Sequence, residues 1–216
     1  MAGKMKKTIH ALVAFATLSV GGMASAATIT FDDINAAVGG FGLVTLPSPY
    51  DGLNWSCPSG CLVMDVAVYS SSFASGYENS VVSPPNVLAT SGFTFSPAAG
   101  GTFSFDSTYI TAAWRNDMSV AVVGYSGSTV VDTTTLTLGA AGIQGFFTFD
   151  WNNLTSVSIT PSGGTASTIY TAANGVEIGV DNLTVSGSPV PLPAAFPLLL
   201  SGLAGLGAFG RRKFAA

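Results

Sequence analysis

The sequence predicts an all-β fold, a two-sheet, jelly-roll-like β-sandwich, for residues 27–188. Short segments rich in β-branched and aromatic residues alternate with turns rich in Gly, Pro, Asn and Ser. Within several segments apolar and polar residues also alternate, as in Phe147-Thr148-Phe149-Asp150-Trp151. A period of two places one side of a strand in a core and the other in water. About ten such strands are typical of two packed sheets in one domain.

The predicted strands follow one another along the domain with no charged amphipathic helix between them. Gly127-Ser128 separates two strand-like segments and is typical of a hairpin turn. The ten predicted strands span residues 28–31, 62–69, 92–95, 102–105, 109–114, 119–125, 129–138, 146–151, 156–160 and 177–185.

Cys57 and Cys61 are the only two cysteines in the chain. A zinc site needs further ligands, and the single histidine, His10, lies in the N-terminal segment. We interpret the pair as a small-loop disulfide formed in an oxidising compartment. A redox role is the alternative, although the spacing is C-x-x-x-C and not C-x-x-C.

Residues 1–26 have the three parts of a secretory signal peptide. Basic residues at Lys4, Lys6 and Lys7 precede an apolar stretch over 9–20. Ala24-Ser25-Ala26 then supplies the small residues that a signal peptidase accepts, so we expect cleavage after Ala26. The alternative is an N-terminal membrane anchor.

Residues 189–216 form a second three-part segment. An uncharged apolar stretch over 195–210 is near the lower limit for a helix that crosses a bilayer core of roughly 30 Å. The basic residues behind it are expected to stay on the cytoplasmic side. The box before the stretch consists of Val190, Pro191, Leu192, Pro193 and Ala194, and the basic stop consists of Arg211, Arg212 and Lys213.

This tail resembles the PEP-CTERM sorting signal in its VPLPA form. Leu192 stands where the commonest form of the box has Glu. The resemblance implies an exported protein of a Gram-negative-type bacterium, held briefly in the inner membrane by a transmembrane helix and processed by an exosortase-type peptidase. The implied destination is the cell surface or an extracellular polysaccharide matrix. The alternative is a plain C-terminal anchor that is never cut.

The charge of the domain restricts its partners. Residues 27–188 include all eleven acidic residues but only one basic residue, Arg115, so their net charge is −10. Such a domain repels phosphate backbones, which excludes a nucleic-acid partner. It is compatible with divalent cations and neutral sugars.

The sequence predicts no enzymatic activity. Residues 27–216 include no histidine, so Ser-His-Asp and Cys-His machinery is excluded. We find no Gly-rich phosphate loop and no His-based metal motif. A pair of carboxylates could hydrolyse glycosides, but no spacing singles out one pair.

Three short motifs of the domain are similar to those of exported, galactose-binding or carbohydrate-module β-sandwiches. They are Ile29-Thr30-Phe31-Asp32-Asp33, Tyr50-Asp51-Gly52-Leu53-Asn54-Trp55 and Val180-Asp181-Asn182-Leu183-Thr184-Val185. The resemblance implies neighbouring first and last strands, with a structural Ca²⁺ bound by Asp32, Asp33 and Asp181. Calcium prefers six to eight oxygen ligands. The alternative is that these side chains are solvated turn carboxylates.

A sugar site would combine a flat aromatic side chain with hydrogen-bonding neighbours, and Trp114, Arg115 and Asn116 offer this combination. The alternatives are that Trp114 packs at a strand end and that Arg115 pairs with a carboxylate. Two function classes therefore remain open. One is a non-catalytic surface or matrix protein associated with exopolysaccharide, and the other is a carbohydrate-binding module with a structural calcium ion.

Overall fold

A computed structural model describes residues 26–141 and 145–187 and confirms the two-sheet, all-β sandwich. The predicted signal peptide (1–26, apart from Ala26) and the sorting tail (189–216) lie outside these residues. None of the helices in the two described stretches has the length and apolar character that crossing a bilayer requires.

The described residues form twelve strands and four short helical segments. The helical segments are α1 (Val66–Ser70) and three 3-10 helices (Ala36–Val38, Gly40–Gly42 and Gly76–Asn79). The strands are β1 (Ala27–Ile29), β2 (Leu43–Thr45), β3 (Leu53–Ser56), β4 (Leu62–Asp65), β5 (Asn86–Thr90), β6 (Phe93–Pro97), β7 (Phe103–Ala112), β8 (Arg115–Ser126), β9 (Thr129–Leu138), β10 (Gly145–Leu154), β11 (Ser156–Ala166) and β12 (Ile178–Ser186).

The strands form two antiparallel sheets. The larger sheet has the order β10-β7-β12-β5-β4-β2, and the smaller has the order β3-β6-β11-β8-β9. Strand β1 also belongs to the larger sheet, where Thr28 pairs with Thr184 of β12. The expected adjacency of the first and last strands is therefore confirmed.

The main core lies between the two sheets and is rich in phenylalanine. Phe31, Phe95, Phe103 and Phe105 are all fully buried in it. The Phe95 and Phe105 rings meet edge to face with their centroids 5.3 Å apart, a favourable aromatic geometry. Strand β8 shows the predicted period of two, because its alternate residues, including Val120 and Val122, are buried.

The hairpin at 127–128 is confirmed, but the predicted strand over 62–69 is wrong in its second half. Strand β4 ends at Asp65, and helix α1 begins at Val66. The Asp65 carboxylate accepts a hydrogen bond from the Val68 N–H at 3.1 Å, which is the action of an N-cap residue. A helix therefore starts within a sequence whose apolar residues favour a strand.

Other boundaries also differ from the prediction. The predicted strands over 102–105 and 109–114 are largely parts of one long strand, β7, which spans Phe103–Ala112. The short strands β2, β3 and β5 were not predicted. Strand β5 follows Pro84-Pro85, and prolines are typical of a turn.

Candidate functional site

A second apolar cluster lies on the outer face of the larger sheet, opposite the main core. In β4 and β5, Val63 and Leu88 pack into the core, whereas Met64 and Ala89 pack into the outer cluster. The outer cluster includes Tyr77, from the 3-10 helix Gly76–Asn79, and Trp114, from the corner between β7 and β8. The larger sheet therefore carries apolar side chains on both faces.

A cleft of about 330 Å³ opens on this outer cluster. Its walls come from strands β4 and β5, from α1, from the β7–β8 corner and from the segment before β12. The aromatic lining residues are Tyr69, Tyr77 and Trp114, and Glu177 is the acidic one.

The aromatic rings of the cleft belong to a continuous array. Tyr77 contacts Trp114 and Tyr69 edge to face, with centroid distances of 6.1 Å and 5.9 Å. The array continues outward, because Phe73 lies 5.4 Å from Tyr69 and 5.4 Å from Phe41. Tyr77 and Trp114 are each 4% exposed, whereas Phe73 is 36% and Phe41 is 59% exposed. The array thus runs from the buried end of the cleft to open surface.

The Glu177 side chain brings a carboxylate to the cleft. Glu177 lies immediately before β12, and its backbone carbonyl accepts a hydrogen bond from the Ala113 N–H at 2.9 Å. Its Oε2 atom is buried and has no hydrogen-bond partner within the part of the chain that the structure describes. Because a buried carboxylate oxygen without a donor is costly, this atom is suited to accept a hydrogen bond from a ligand.

The tyrosine hydroxyls of the cleft are held in the neutral form. Burial raises the pKa of Tyr69, and the Glu177 carboxylate raises it further. The same two causes, in the same order, raise the pKa of Tyr77 well above its ordinary value. The hydroxyls therefore remain protonated near neutral pH.

The corner between β7 and β8 holds the separate parts of the site together. The Ala113 carbonyl accepts a hydrogen bond from the Gly76 N–H at 2.8 Å, which fixes the helix that carries Tyr77. The Trp114 carbonyl accepts one from the Ser167 N–H at 2.8 Å. Together with the bond from Ala113 to Glu177, these contacts join three distant segments to one corner.

Of the predicted sugar-binding residues, only Trp114 lines the cleft, and it forms a buried wall instead of an exposed platform. The Arg115 guanidinium donates to the carbonyls of Gly163 (2.7 Å), Gly164 (2.7 Å) and Asn174 (2.6 Å), and so ties the last part of β11 to the segment before β12. The Asn116 side chain accepts a hydrogen bond from the Ala140 N–H at 3.1 Å. Arg115 and Asn116 therefore hold neighbouring segments in place and do not line the cleft.

The structure does not group Asp32, Asp33 and Asp181 as metal ligands. Asp32 accepts a hydrogen bond from the Asn86 N–H, and Asp33 accepts one from the Tyr50 hydroxyl. Across residues 26–141 and 145–187, no three His, Cys, Asp or Glu side chains lie close enough together to hold a metal ion.

Asp181 is instead a buried anchor within β12. Its carboxylate accepts hydrogen bonds from the N–H groups of Val82 (2.7 Å), Ser83 (2.8 Å) and Asn182 (2.7 Å), and from the Ser83 hydroxyl at 3.1 Å. Burial raises the pKa of Asp181, and these hydrogen bonds oppose the rise. The side chain joins the loop at 82–83 to the larger sheet.

The structure pairs Cys57 with Cys61 in the predicted disulfide. The small loop that this bond closes forms part of the cleft wall, since both Ser59 and Gly60 line the cleft. The Ser59 hydroxyl also lies 3.1 Å from the Ser91 hydroxyl, just after β5. The disulfide therefore shapes one edge of the candidate site.

The sequence did not indicate that Tyr69, Tyr77 and Glu177 form one site, because they belong to short segments far apart in the chain. One signal was available. The aromatic residues Tyr69, Phe73 and Tyr77 are spaced four apart in a segment otherwise rich in Ser, Ala and Gly.

No protein-family model matches this chain, and no curated protein matches it. Similar solved structures include TmCBM61 in complex with beta-1,4-galactotriose (11% identity, TM-score 0.35, covering 64% of this chain and 88% of that chain). A DUF4465 family protein from Bacteroides ovatus has 8% identity and a TM-score of 0.42, covering 78% and 91%. A mutant of the family 29 carbohydrate-binding module CBM29-2 has 13% identity and a TM-score of 0.32, covering 76% and 92%. Because these TM-scores are all below 0.5, the similarities do not indicate what the cleft binds, and the side chains of the cleft have to indicate it.

Proposed function

We propose that this chain is a non-catalytic carbohydrate-binding protein and that it binds an oligosaccharide in the aromatic cleft. The observation that carries the proposal is the array of rings that leads from buried Trp114 to exposed Phe41 beside the unpartnered Glu177 oxygen. Ligand sites in proteins are mostly apolar and aromatic, with a few placed polar groups. A sugar ring has the matching surface, because its C–H face packs on aromatic rings and its hydroxyls donate hydrogen bonds.

The size of the cleft favours a short stretch of a longer chain. A volume of about 330 Å³ is at the small end of ligand pockets, and it suits one or two sugar units. The exposed rings of Phe73 and Phe41 continue the contact surface beyond the cleft. An oligosaccharide with its end in the cleft would therefore gain contact from the units that follow.

The proposed place of action is outside the cell. The signal-peptide pattern of residues 1–26 and the VPLPA-type tail support export and exosortase sorting. The net charge of −10 over residues 27–188 and the lack of histidine after His10 favour a binding role over catalysis. We propose that the protein is associated with extracellular polysaccharide, which its cleft would contact.

Binding is tested by isothermal titration of the purified protein with tetrasaccharides of glucose, galactose and xylose, and with their amino and N-acetyl counterparts where these exist. The Tyr69→Ala variant removes the half-buried ring at the middle of the array. We expect it to weaken the binding of every tetrasaccharide that the wild-type protein binds. The matched control is Phe146→Ala, because Phe146 is 53% exposed and packs on Tyr109 instead of the cleft. Wild-type protein that binds none of the sugars, or equal binding by the Tyr69→Ala variant, would contradict the proposal.

Export and sorting are tested separately by measuring the intact mass of the protein recovered from the producing cells. We expect a mass that corresponds to loss of residues 1–26 and of the tail after the VPLPA box. An intact tail would support the plain anchor, and a cytosolic product with both ends intact would contradict export.

A further inference from the structure

The acidic side chain of the cleft, Glu177, accepts hydrogen bonds and also carries a negative charge. Glu177 Oε2 is buried and receives no hydrogen bond from any described residue, and Glu177 lines the same cleft as Tyr69 and Tyr77. The remaining lining side chains are apolar, aromatic or neutral. The cleft therefore offers a ligand one acidic side chain together with the aromatic side chains of Tyr69, Tyr77 and Trp114.

No protein cation is available to neutralise this charge within the described domain. Arg115 is the only Lys or Arg between residues 27 and 188. Its guanidinium donates instead to the carbonyls of Gly163, Gly164 and Asn174. The Glu177 carboxylate is thus left for an external partner.

A protonated amine satisfies every feature of this site. It supplies N–H donors to the carboxylate, and hydrogen bonds between charged groups are about twice as strong as neutral ones. Its charge is also attracted to the faces of tyrosine and tryptophan rings. A neutral sugar hydroxyl supplies the donor but not the charge, and a uronic acid would be repelled.

We infer that the cleft selects a sugar unit with a free, protonated amine and that Glu177 determines this specificity. The inference rests on the proposed function, which it narrows from carbohydrates in general to amino sugars that are not N-acetylated. It arises from the buried, unpartnered Oε2 atom and the aromatic rings around it.

Gly175 provides an independent way to test the position of the carboxylate. A Cβ atom at this residue would overlap both carboxylate oxygens of Glu177. Those oxygens are the end of a flexible side chain, so a Gly175→Ala substitution would displace the carboxylate at little cost to the fold. This variant changes the geometry of the site and keeps its charge.

The experiment compares three tetrasaccharides of the same size: the glucosamine tetramer, the N-acetylglucosamine tetramer and cellotetraose. Titrations are done at mildly acidic pH, where the amines of the glucosamine tetramer are protonated, and at physiological salt. A charge-assisted hydrogen bond predicts at least about tenfold tighter binding of the glucosamine tetramer. The measured quantity is the affinity for the glucosamine tetramer divided by that for each of the other two tetramers. We expect Glu177→Gln to bring this ratio close to one. We expect Gly175→Ala to reduce the ratio and to leave the melting temperature unchanged.

The charge control is Glu78→Gln. Glu78 is exposed on the helix that carries Tyr77, but it does not line the cleft. Because a domain with a net charge of −10 attracts any polycation, the preference must persist in Glu78→Gln and disappear in Glu177→Gln. Equal loss in both variants would indicate general attraction and overturn the inference.

Failure of the inference and failure of the proposed function give different results. If all three tetramers bind equally and Tyr69→Ala weakens each of them, amine selection is wrong but carbohydrate binding stands. If neither these tetramers nor the galactose and xylose tetrasaccharides bind, both proposals are wrong.

Discussion

The core between the sheets and the outer face of the larger sheet use aromatic residues in opposite ways. In the core, Phe95, Phe103 and Phe105 are closed off from solvent completely. On the outer face the rings from Trp114 to Phe41 become progressively more exposed, and two of them carry hydroxyls. The core rings pack against one another and have no exposed surface, whereas the outer rings keep exposed surface that a further molecule can contact.

The polar groups beside the two aromatic clusters differ as well. The Trp55 indole N–H, at the edge of the core, donates to the Tyr50 carbonyl at 3.0 Å. On the outer face the Glu177 Oε2 atom has no such partner in the described chain. A satisfied polar group contributes to stability, whereas a buried unsatisfied one is free to bind a water, an ion or a ligand. Substitutions in the core should therefore change stability, and those on the outer face should change binding.

The largest expected effect is that of Phe105→Ala. Phe105 is fully buried and contacts Phe95, Phe149 and Trp151. Removing the ring should lower the free energy of unfolding by about 3–5 kcal/mol, because both burial and packing are lost. Tyr69→Ala should lower it much less, since Tyr69 is only half-buried. Urea denaturation of both variants measures the difference, and equal losses would remove the distinction between the two regions.

The next largest effect is expected at Asp181. The Asp181→Ala variant leaves the N–H groups of two half-buried residues, Val82 and Ser83, without their acceptor. An unpaired buried group costs about 1–3 kcal/mol, so we expect a loss of about 3 kcal/mol, measured by urea denaturation. The Asp106→Ala variant is the control, because Asp106 accepts only a long hydrogen bond of 3.3 Å from the Ser186 hydroxyl.

The pH dependence of the Asp181→Ala effect can also be predicted. The pKa of Asp181 is raised in the folded state, mainly by burial, so the folded protein binds this proton more tightly than the unfolded chain. The associated stability is present below the ordinary aspartate pKa of 3.8 and is lost as the pH rises through the folded pKa. The difference in unfolding free energy between wild type and variant should therefore be larger near about pH 4 than near about pH 7. A difference that grows with pH would contradict the raised pKa.

Loss of the disulfide should have a smaller effect on stability. A bond that closes a loop of this length contributes about 2 kcal/mol in the chain-entropy model. The Cys57→Ser/Cys61→Ser double variant should lose about that much in urea denaturation and should also bind tetrasaccharides more weakly, because Ser59 and Gly60 line the cleft. Reduced stability with unchanged affinity would show that the loop is not part of the site.

The fold could be predicted from the sequence because the information that specifies it is local. Alternation in β8 and β10, the hairpin at 127–128 and the spacing of Cys57 and Cys61 are each contained in a few consecutive residues. The errors arose where two local signals conflict, as in the segment after β4, where the N-cap Asp65 prevails over apolar residues that favour a strand.

The candidate site could not be predicted in the same way, because it forms through tertiary contacts. The hydrogen bonds of the β7–β8 corner bring together the segments that carry Tyr77, Trp114 and Glu177, and Tyr69 joins them through its ring contact with Tyr77. Trp114 was predicted to bind a sugar because its side chain is a flat aromatic ring. In the structure this ring packs against Tyr77, which lies 37 positions earlier in the sequence. Asp181 was expected to bind calcium or to be a solvated turn carboxylate, and the structure buries it within β12, where it accepts hydrogen bonds from the loop at 82–83.

The smallest expected effect is that of Phe73→Ala, which tests how far the binding surface extends. Phe73 is already 36% exposed, so its removal should change the free energy of unfolding by no more than about 0.5 kcal/mol. Loss of one aromatic contact should weaken tetrasaccharide binding by about two- to tenfold, whereas a monosaccharide held in the cleft should bind as before. Titration with both ligands separates these effects, with Phe146→Ala again as the control. Equal weakening of both ligands would mean that Phe73 acts by supporting Tyr69, and the outer rings would then be packing residues like those of the core.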